Sequence, residues 1–281
     1  NRTAKRRIAR QAHRNEKKYR AMGTKLRLNL LNIKKAKAQK PQSKIRLGKI
    51  FKIATLNARG LKQIGKREEI ETWMKDNDIM ILALQETRIN TNSKEARGSY
   101  TWYWSGEHKR KDETYTAGVG FVIDNKFTKY LEDIIPHSDR IIQIKLKGTC
   151  NINLINIYLP PAPRTEEEKE AVYKKLDEIT SKTKGKGPTY ISGDWNARMQ
   201  KQQNKEERKV FGKWTLEPDK AKVHDLSEEV TWNRERCIQF CLKHKMTLTN
   251  TKFKKTKEKT ATYRIPRVAF NEEIQHKTHE Q

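Results

Sequence analysis

Acid is almost missing from the start of this chain. Residues 1–50 hold 18 lysines and arginines against one acid, Glu16. The remaining 231 residues carry 44 cations and 33 acids, so the net charge of +28 is concentrated at one end. A segment of such uniform sign repels itself and attracts a polyanion, because neutralising phosphates releases condensed counterions. No strong apolar face accompanies the charge, which argues against an anionic membrane as the partner. Cysteine is scarce as well. Cys150, Cys237 and Cys241 are odd in number and lack metal-finger spacing, which points to reduced structural thiols and away from a disulfide framework. No apolar run approaches the length of a membrane span, and no secretory leader is visible.

Apolar residues make up only 34% of the chain, yet they are clustered in short runs. Three divisions follow: a basic nucleic-acid-binding arm over 1–50, a folded domain over 51–270 and a polar tail over 271–281. Within the domain, β-rich runs are expected at 51–56, 79–84, 117–123, 140–146, 152–158 and 189–192. Helical periodicity is expected over 66–76, with Ile70, Trp73 and Met74 on one face. It recurs over 165–180, with Val172, Leu176 and Ile179, and over 233–244, with Cys237, Ile238, Cys241 and Leu242. Residues 199–230 read as a polar surface excursion. Strands alternating with helices around a helix-free stretch of strands predict an α/β layered fold.

Five segments place a polar residue at or just after a β run: "TLNARGL" (55–61), "LALQETR" (82–88), "NIYLPPAP" (156–163), "SGDWNAR" (192–198) and "LTNTKF" (248–253). Each alone reads equally well as a turn or a surface acid. Together they describe one mouth, since ligands of α/β sheets bind beyond the carboxyl ends of strands. The residue types suit phosphodiester hydrolysis. Glu86 supplies a hard anionic oxygen for Mg²⁺, an ion that takes one or two protein carboxylates and keeps several waters. Asn57 supplies a neutral amide beside it. Asp194 orients or deprotonates the attacking water, Asn196 fixes that carboxylate or a phosphate oxygen, and Tyr158 donates to charge developing on the phosphate.

The order N-x-x-G-L, Q-E-T, Y-x-P, G-D-x-N-A resembles the endonuclease/exonuclease/phosphatase superfamily, and in particular the apurinic-like endonucleases of non-LTR (LINE-type) retrotransposons. "AGVGFVID" (117–124), "NRERCIQFCLKHKMTLTNTKF" (233–253) and "ATYRIPR" (261–267) also resemble that branch, and the resemblance runs from about Phe51 to about Pro266. It implies a four-layer α/β sandwich, two mixed sheets face to face with helices outside. It implies Mg²⁺-dependent nicking of DNA with a 3′-hydroxyl product, with Asn57 and Glu86 at the metal, Tyr158 at the phosphate, and Asp194 and Asn196 at the nucleophile. Nucleic-acid contacts are expected from Arg6, Arg7, Arg10, Arg14, Lys17, Lys18, Arg20, Lys25, Arg27, Lys34 and Lys35 in the arm, and from Arg59 and Arg88 beside the site.

The chain departs from the family at its end. The family's late S-D-H motif is not found after "ATYRIPR"; His276 and His279 are not preceded by Ser-Asp, and "HSDR" (137–140) lies mid-domain. The expectation is a C-terminally truncated sandwich, open to three readings. One is a piece of a longer endonuclease–reverse transcriptase protein, in the nucleus. Another is a captured, inactive domain bound to structural RNA among the protein subunits of a ribonucleoprotein such as a ribosome, in an organelle or the cytosol. The third, a small-substrate phosphatase, fits the polycationic arm poorly. Aromatics of the 92–116 region (Tyr100, Trp102, Tyr103, Trp104) are expected either to stack on bases or to form a strand with Trp102 and Trp104 packed and Tyr103 outward.

Overall fold

The structure is a computed structural model that describes residues 51–107, 115–215 and 227–256. The basic arm, the polar tail, "ATYRIPR", His276 and His279 lie outside those residues. Two mixed sheets face each other. The first has the order β1-β2-β5-β4-β3, with β1 (Lys52–Asn57) parallel to β2 (Ile79–Gln85), and β5 (Val119–Asp124), β4 (Tyr100–Ser105) and β3 (Ser93–Arg97) antiparallel. The second has the order β6-β7-β8-β9: Leu131–Ser138, Ile141–Leu146, Ile152–Tyr158 and Thr189–Asp194. Its last pair, β8 and β9, is parallel.

Three apolar layers hold the sandwich together. Phe121, Ile123, Ile142, Ile144 and Leu154 fill the space between the sheets. On the outer face of the first sheet, α1 (Lys66–Asp76) buries Ile70 and Met74 against Leu82, Trp102 and Trp104. On the outer face of the second, α2 (Glu166–Thr183) and α4 (Glu228–His244) bury Tyr173, Leu176, Ile179, Cys237 and Phe240 against Ile141, Ile155 and Ile157. The alternation along β7 and β8 divides each strand between these layers, since successive side chains point to opposite faces. The result is the expected four-layer α/β sandwich. No helix among the described residues is long and apolar enough to cross a membrane.

Helix limits follow local chemistry. Thr165 accepts a hydrogen bond from the Glu168 N–H at the head of α2, and three glutamates fill its first turn, as the helix dipole favours. Asn204 does the same through Glu207 N–H at α3 (Lys205–Val210).

Several expectations need correction. Residues 93–105 form the β3–β4 hairpin, and Tyr103 points into the space between the sheets at 8% exposure. Trp102 and Trp104 pack under α1, where Arg67 lies over both rings. None of these aromatics is available for base stacking; apolar area decided against solvent. The "excursion" contains α3, whose Glu207 is buried in a two-pronged ion pair with Arg234 of α4. Trp73 is 42% exposed rather than packed, and Cys150 is exposed, so it is not a core thiol.

Candidate active site

Four strands deliver side chains to one end of the sandwich. Parallel pairing aligns Asn57 with Gln85 at the ends of β1 and β2, and Tyr158 with Asp194 at the ends of β8 and β9. At the mouth the two sheets are joined by a side-chain hydrogen bond. The Asn57 amide Nδ2 donates to Asp194 Oδ2 at 2.7 Å, across 137 residues of sequence. The other Asp194 oxygen accepts from the Asn196 backbone N–H at 2.9 Å. Asn57 Oδ1 is turned the other way and accepts from the Arg59 N–H at 3.1 Å.

The loops are shaped by backbone conformations that ordinary residues avoid. Gly193 has φ 139°, and a Cβ there would collide with the Ile157 carbonyl, so the residue before Asp194 has to be glycine. Glu86, Arg88, Arg59 and Asn196 all have φ between 47° and 57°. Each such non-glycine residue carries a conformational cost, and strained residues collect where a site over-determines them. Four of the six in the described residues are here. The strain is held by backbone bonds: Gly60 N–H donates to the Glu86 carbonyl, and Thr87 and Arg88 N–H donate to Gly118 and Ala117 carbonyls.

Below the mouth, the sheets are joined by a buried polar relay. Gln85 Nε2 donates to Asn156 Oδ1 at 2.6 Å, and Asn156 Nδ2 donates to the Leu84 and Gly120 carbonyls at 2.8 Å each. Thr55 Oγ1 accepts from Gln85 Nε2 at 3.0 Å. A satisfied buried network fixes register between layers that apolar packing alone leaves free to slide.

The electrostatics separate the two acids. Asp194 is 3% exposed, and burial, reinforced by the nearby Glu86 charge, pushes its carboxyl up to about 6 against the opposing pull of the Asn196 N–H and Asn57 amide. Glu86 reaches solvent and accepts from Arg88 at 2.6 Å. Burial, with Glu86 and Asp194 adding to it, pushes the Tyr158 hydroxyl up to about 12, so at neutral pH it is a proton donor.

The structure thus brings Asn57, Glu86, Tyr158, Asp194 and Asn196 together, with Arg59 and Arg88 on the loops that carry them. Two details differ from the sequence reading. Asn196 holds the carboxylate with its backbone, while its side chain donates to the Leu159 carbonyl at 2.7 Å and ties the β8 and β9 loops together. "LTNTKF" does not reach the mouth: Leu248 bridges Phe211, and Thr251 accepts from the Gly212 N–H, pinning the loop after α3. The basic-arm residues Arg6 to Lys35 lie outside the described residues.

Sequence reasoning missed two contributors. Arg140 sits with its guanidinium 5.2 Å from the Tyr158 ring centre and donates to the Tyr158 carbonyl at 3.3 Å. In the sequence it stands mid-domain in "HSDR", and only the pairing of β7 with β8 brings it there. Asn233 of α4 donates to the Asn196 carbonyl at 2.8 Å and locks the loop from behind.

The donor set fits a hard divalent cation. One carboxylate and one amide oxygen from protein match Mg²⁺, which otherwise retains water. No group of three or more His, Cys, Asp or Glu gathers among the described residues, so a cage made wholly of such side chains is not the arrangement here.

No protein-family model matches the chain. Craniofacial development protein 2 of Bos taurus is 23% identical over 235 residues, covering 83% of this chain and 36% of that protein. The same-named protein of Tragulus javanicus is 23% identical over 239 residues, covering 84% of this chain and 38% of that protein. The chain therefore spans little more than a third of these curated relatives. Among solved structures, AP endonuclease LMAP from Leishmania major superposes with a TM-score of 0.50 at 14% identity, over 69% of this chain and 66% of that chain. The two chains share one fold, two mixed sheets face to face with helices outside. The endonuclease domain of TRAS1, a telomere-specific non-LTR retrotransposon, gives 0.39 at 15% identity over 53% of this chain and 61% of that one.

Proposed function

We propose that this chain is a Mg²⁺-dependent phosphodiesterase acting on nucleic acid, a DNA-nicking domain of the retrotransposon endonuclease kind that leaves a 3′-hydroxyl. The observation that carries the reading is the 2.7 Å bond from Asn57 to Asp194, which joins the ends of two sheets around a buried acid. Nothing in packing requires a carboxylate there; burying one costs stability unless it has work to do.

Each residue has a task set by its surroundings. Asp194, ionised above about pH 6 and gripped by two donors, takes a proton from the water that attacks phosphorus. As the new P–O bond forms the P–O3′ bond breaks, and the leaving 3′-oxygen takes a proton from solvent to give the 3′-hydroxyl. Asn57 and Asn196 fix the direction in which that carboxylate points. Tyr158 stays protonated and donates to a phosphate oxygen as charge builds. Glu86 and the Asn57 amide oxygen would hold the cation, which supplies charge neutralisation at the phosphate. Arg59 and Arg88 attract the flanking backbone. The reading that small phosphates are the substrate is disfavoured by the +28 charge, which suits a polymer.

The test is a supercoiled-plasmid nicking assay on the full chain, with Mg²⁺ and with EDTA, beside Glu86→Gln. Nicking that needs Mg²⁺ and falls at least 100-fold in the variant, with salt-sensitive binding unchanged, is the expected result. Binding to structured RNA with no nicking under any metal would instead favour the scaffold reading. Nicking unaffected by Glu86→Gln would refute the metal assignment.

A further inference from the structure

A second charged concavity lies far from the mouth. It opens between the outer face of the second sheet and the C-terminal half of α2, and around its polar floor stand four lysines, Lys145, Lys175, Lys182 and Lys186, and one acid, Glu178. Its volume is about 240 Å³, room for about eight waters at ~30 Å³ each. Five residues of β8 separate its floor at Asn153 from Tyr158, or roughly 17 Å at ~3.3 Å per residue.

The floor is built where packing alone would place apolar groups. The outer faces of β7 and β8 begin as Ile141, Ile155 and Ile157 under α2, then turn to Gln143 and Asn153. These two are 3% and 4% exposed. They form a chain with the β6 residue His137: the His137 Nε2 lies 3.0 Å from Gln143 Oε1, and Gln143 Nε2 donates to Asn153 Oδ1 at 3.2 Å. Burial and the neighbouring lysines hold the His137 imidazole below its usual range.

The acids nearby do not balance the lysines. Lys145 pairs with Asp133 at 3.6 Å and Lys175 with Glu178 at 3.9 Å. No ion pair is found for Lys182 or Lys186 among the described residues. The helix dipole explains a cation in the last turn of α2, which accounts for Lys182 but not for Lys145 on the sheet or Lys175 two turns earlier. Several ammonium groups around a hydrogen-bonding floor match an anion with several charged oxygens.

We propose that this concavity is a phosphate-binding site, separate from the catalytic mouth, taking either a free oligophosphate or a phosphate of a nucleic-acid backbone. It does not depend on the proposed catalytic function.

The test follows the His137 imidazole by ¹H–¹⁵N NMR on the full chain during titration with pyrophosphate. A saturable shift is expected, weakened at least tenfold in the double variant Lys145→Gln/Lys182→Gln. Lys126→Gln/Lys129→Gln, elsewhere on the surface, controls for total charge and should leave the titration intact. Repeating it with a short oligonucleotide distinguishes the sources. The same His137 shift assigns backbone phosphate, and a shift with pyrophosphate alone assigns a free oligophosphate. No saturable His137 shift with either, or one that survives the double variant or is lost equally in the control, overturns the proposal. The four replaced lysines are at the surface, and the amide spectrum reports that each variant is folded.

Discussion

Replacing Asp194 by Asn should abolish cleavage and, without metal, make the fold more stable. The carboxyl titrates near 3.8 in an unfolded chain and about 6 in the fold. Folding therefore favours the protonated form. Its stabilising contribution is fully present below pH 3.8 and is lost as pH rises through 6. The difference between 3.8 and about 6, at about 1.4 kcal/mol per unit, makes the ionised carboxylate cost about 3 kcal/mol at pH 7. An asparagine removes that cost but offers one acceptor oxygen to the two donors, Asn57 Nδ2 and the Asn196 N–H, forfeiting a hydrogen bond worth about 1–1.5 kcal/mol. The net expectation is a variant about 1–2 kcal/mol more stable than the parent at pH 7. That advantage should vanish or reverse near pH 4. The assay is urea unfolding at pH 4, 5, 6 and 7 in EDTA, followed by tryptophan fluorescence. A stability difference that stays flat across that range would refute the electrostatic reasoning, because only the titration of this carboxyl separates the two chains.

Cleavage by the parent should rise with pH through about 6 as Asp194 ionises, and a pH-rate profile without that rise would remove Asp194 as the base. Arg140→Ala should lower kcat/KM about 10- to 100-fold with little change in urea midpoint, and Arg140→Lys should recover only part of it, since a point charge lacks the planar stack on Tyr158. Arg234→Ala should destabilise the fold by about 3–5 kcal/mol in urea unfolding, because it leaves Glu207, with a side chain 7% exposed, as an unpaired buried charge.

The sequence already carried the fold class and named most of the residues that the fold gathers at the candidate site. Asn57, Glu86, Tyr158, Asp194 and Asn196 each follow a β run, and polar groups at strand ends are legible because strand periodicity stops there. The bounds of helix α1 were legible because its apolar spacing is local, although Trp73 does not join Ile70 and Met74 on the buried face. Of the β3–β4 hairpin, a strand with Trp102 and Trp104 packed was one of two readings, and the burial of Tyr103 was not legible, since its pairing partner, β5, lies beyond a loop. Residues 199–230 carry no local sign that Glu207 is buried, because its partner Arg234 is 27 residues away.

What the sequence determined by itself was therefore chemical: a polycationic segment over residues 1–50, six apolar runs long enough for strands, and an ordered set of residues suited to phosphodiester hydrolysis. What only the tertiary structure decided was juxtaposition. Whether the Asn57 amide faces Asp194, whether Arg140 belongs to the mouth, and whether Lys145 joins Lys182 around His137 depend on sheets meeting across tens of residues. Hydrogen bonds act over about 3 Å and screened charges over about 10 Å, and no local pattern in a chain fixes which distant residues will come that close.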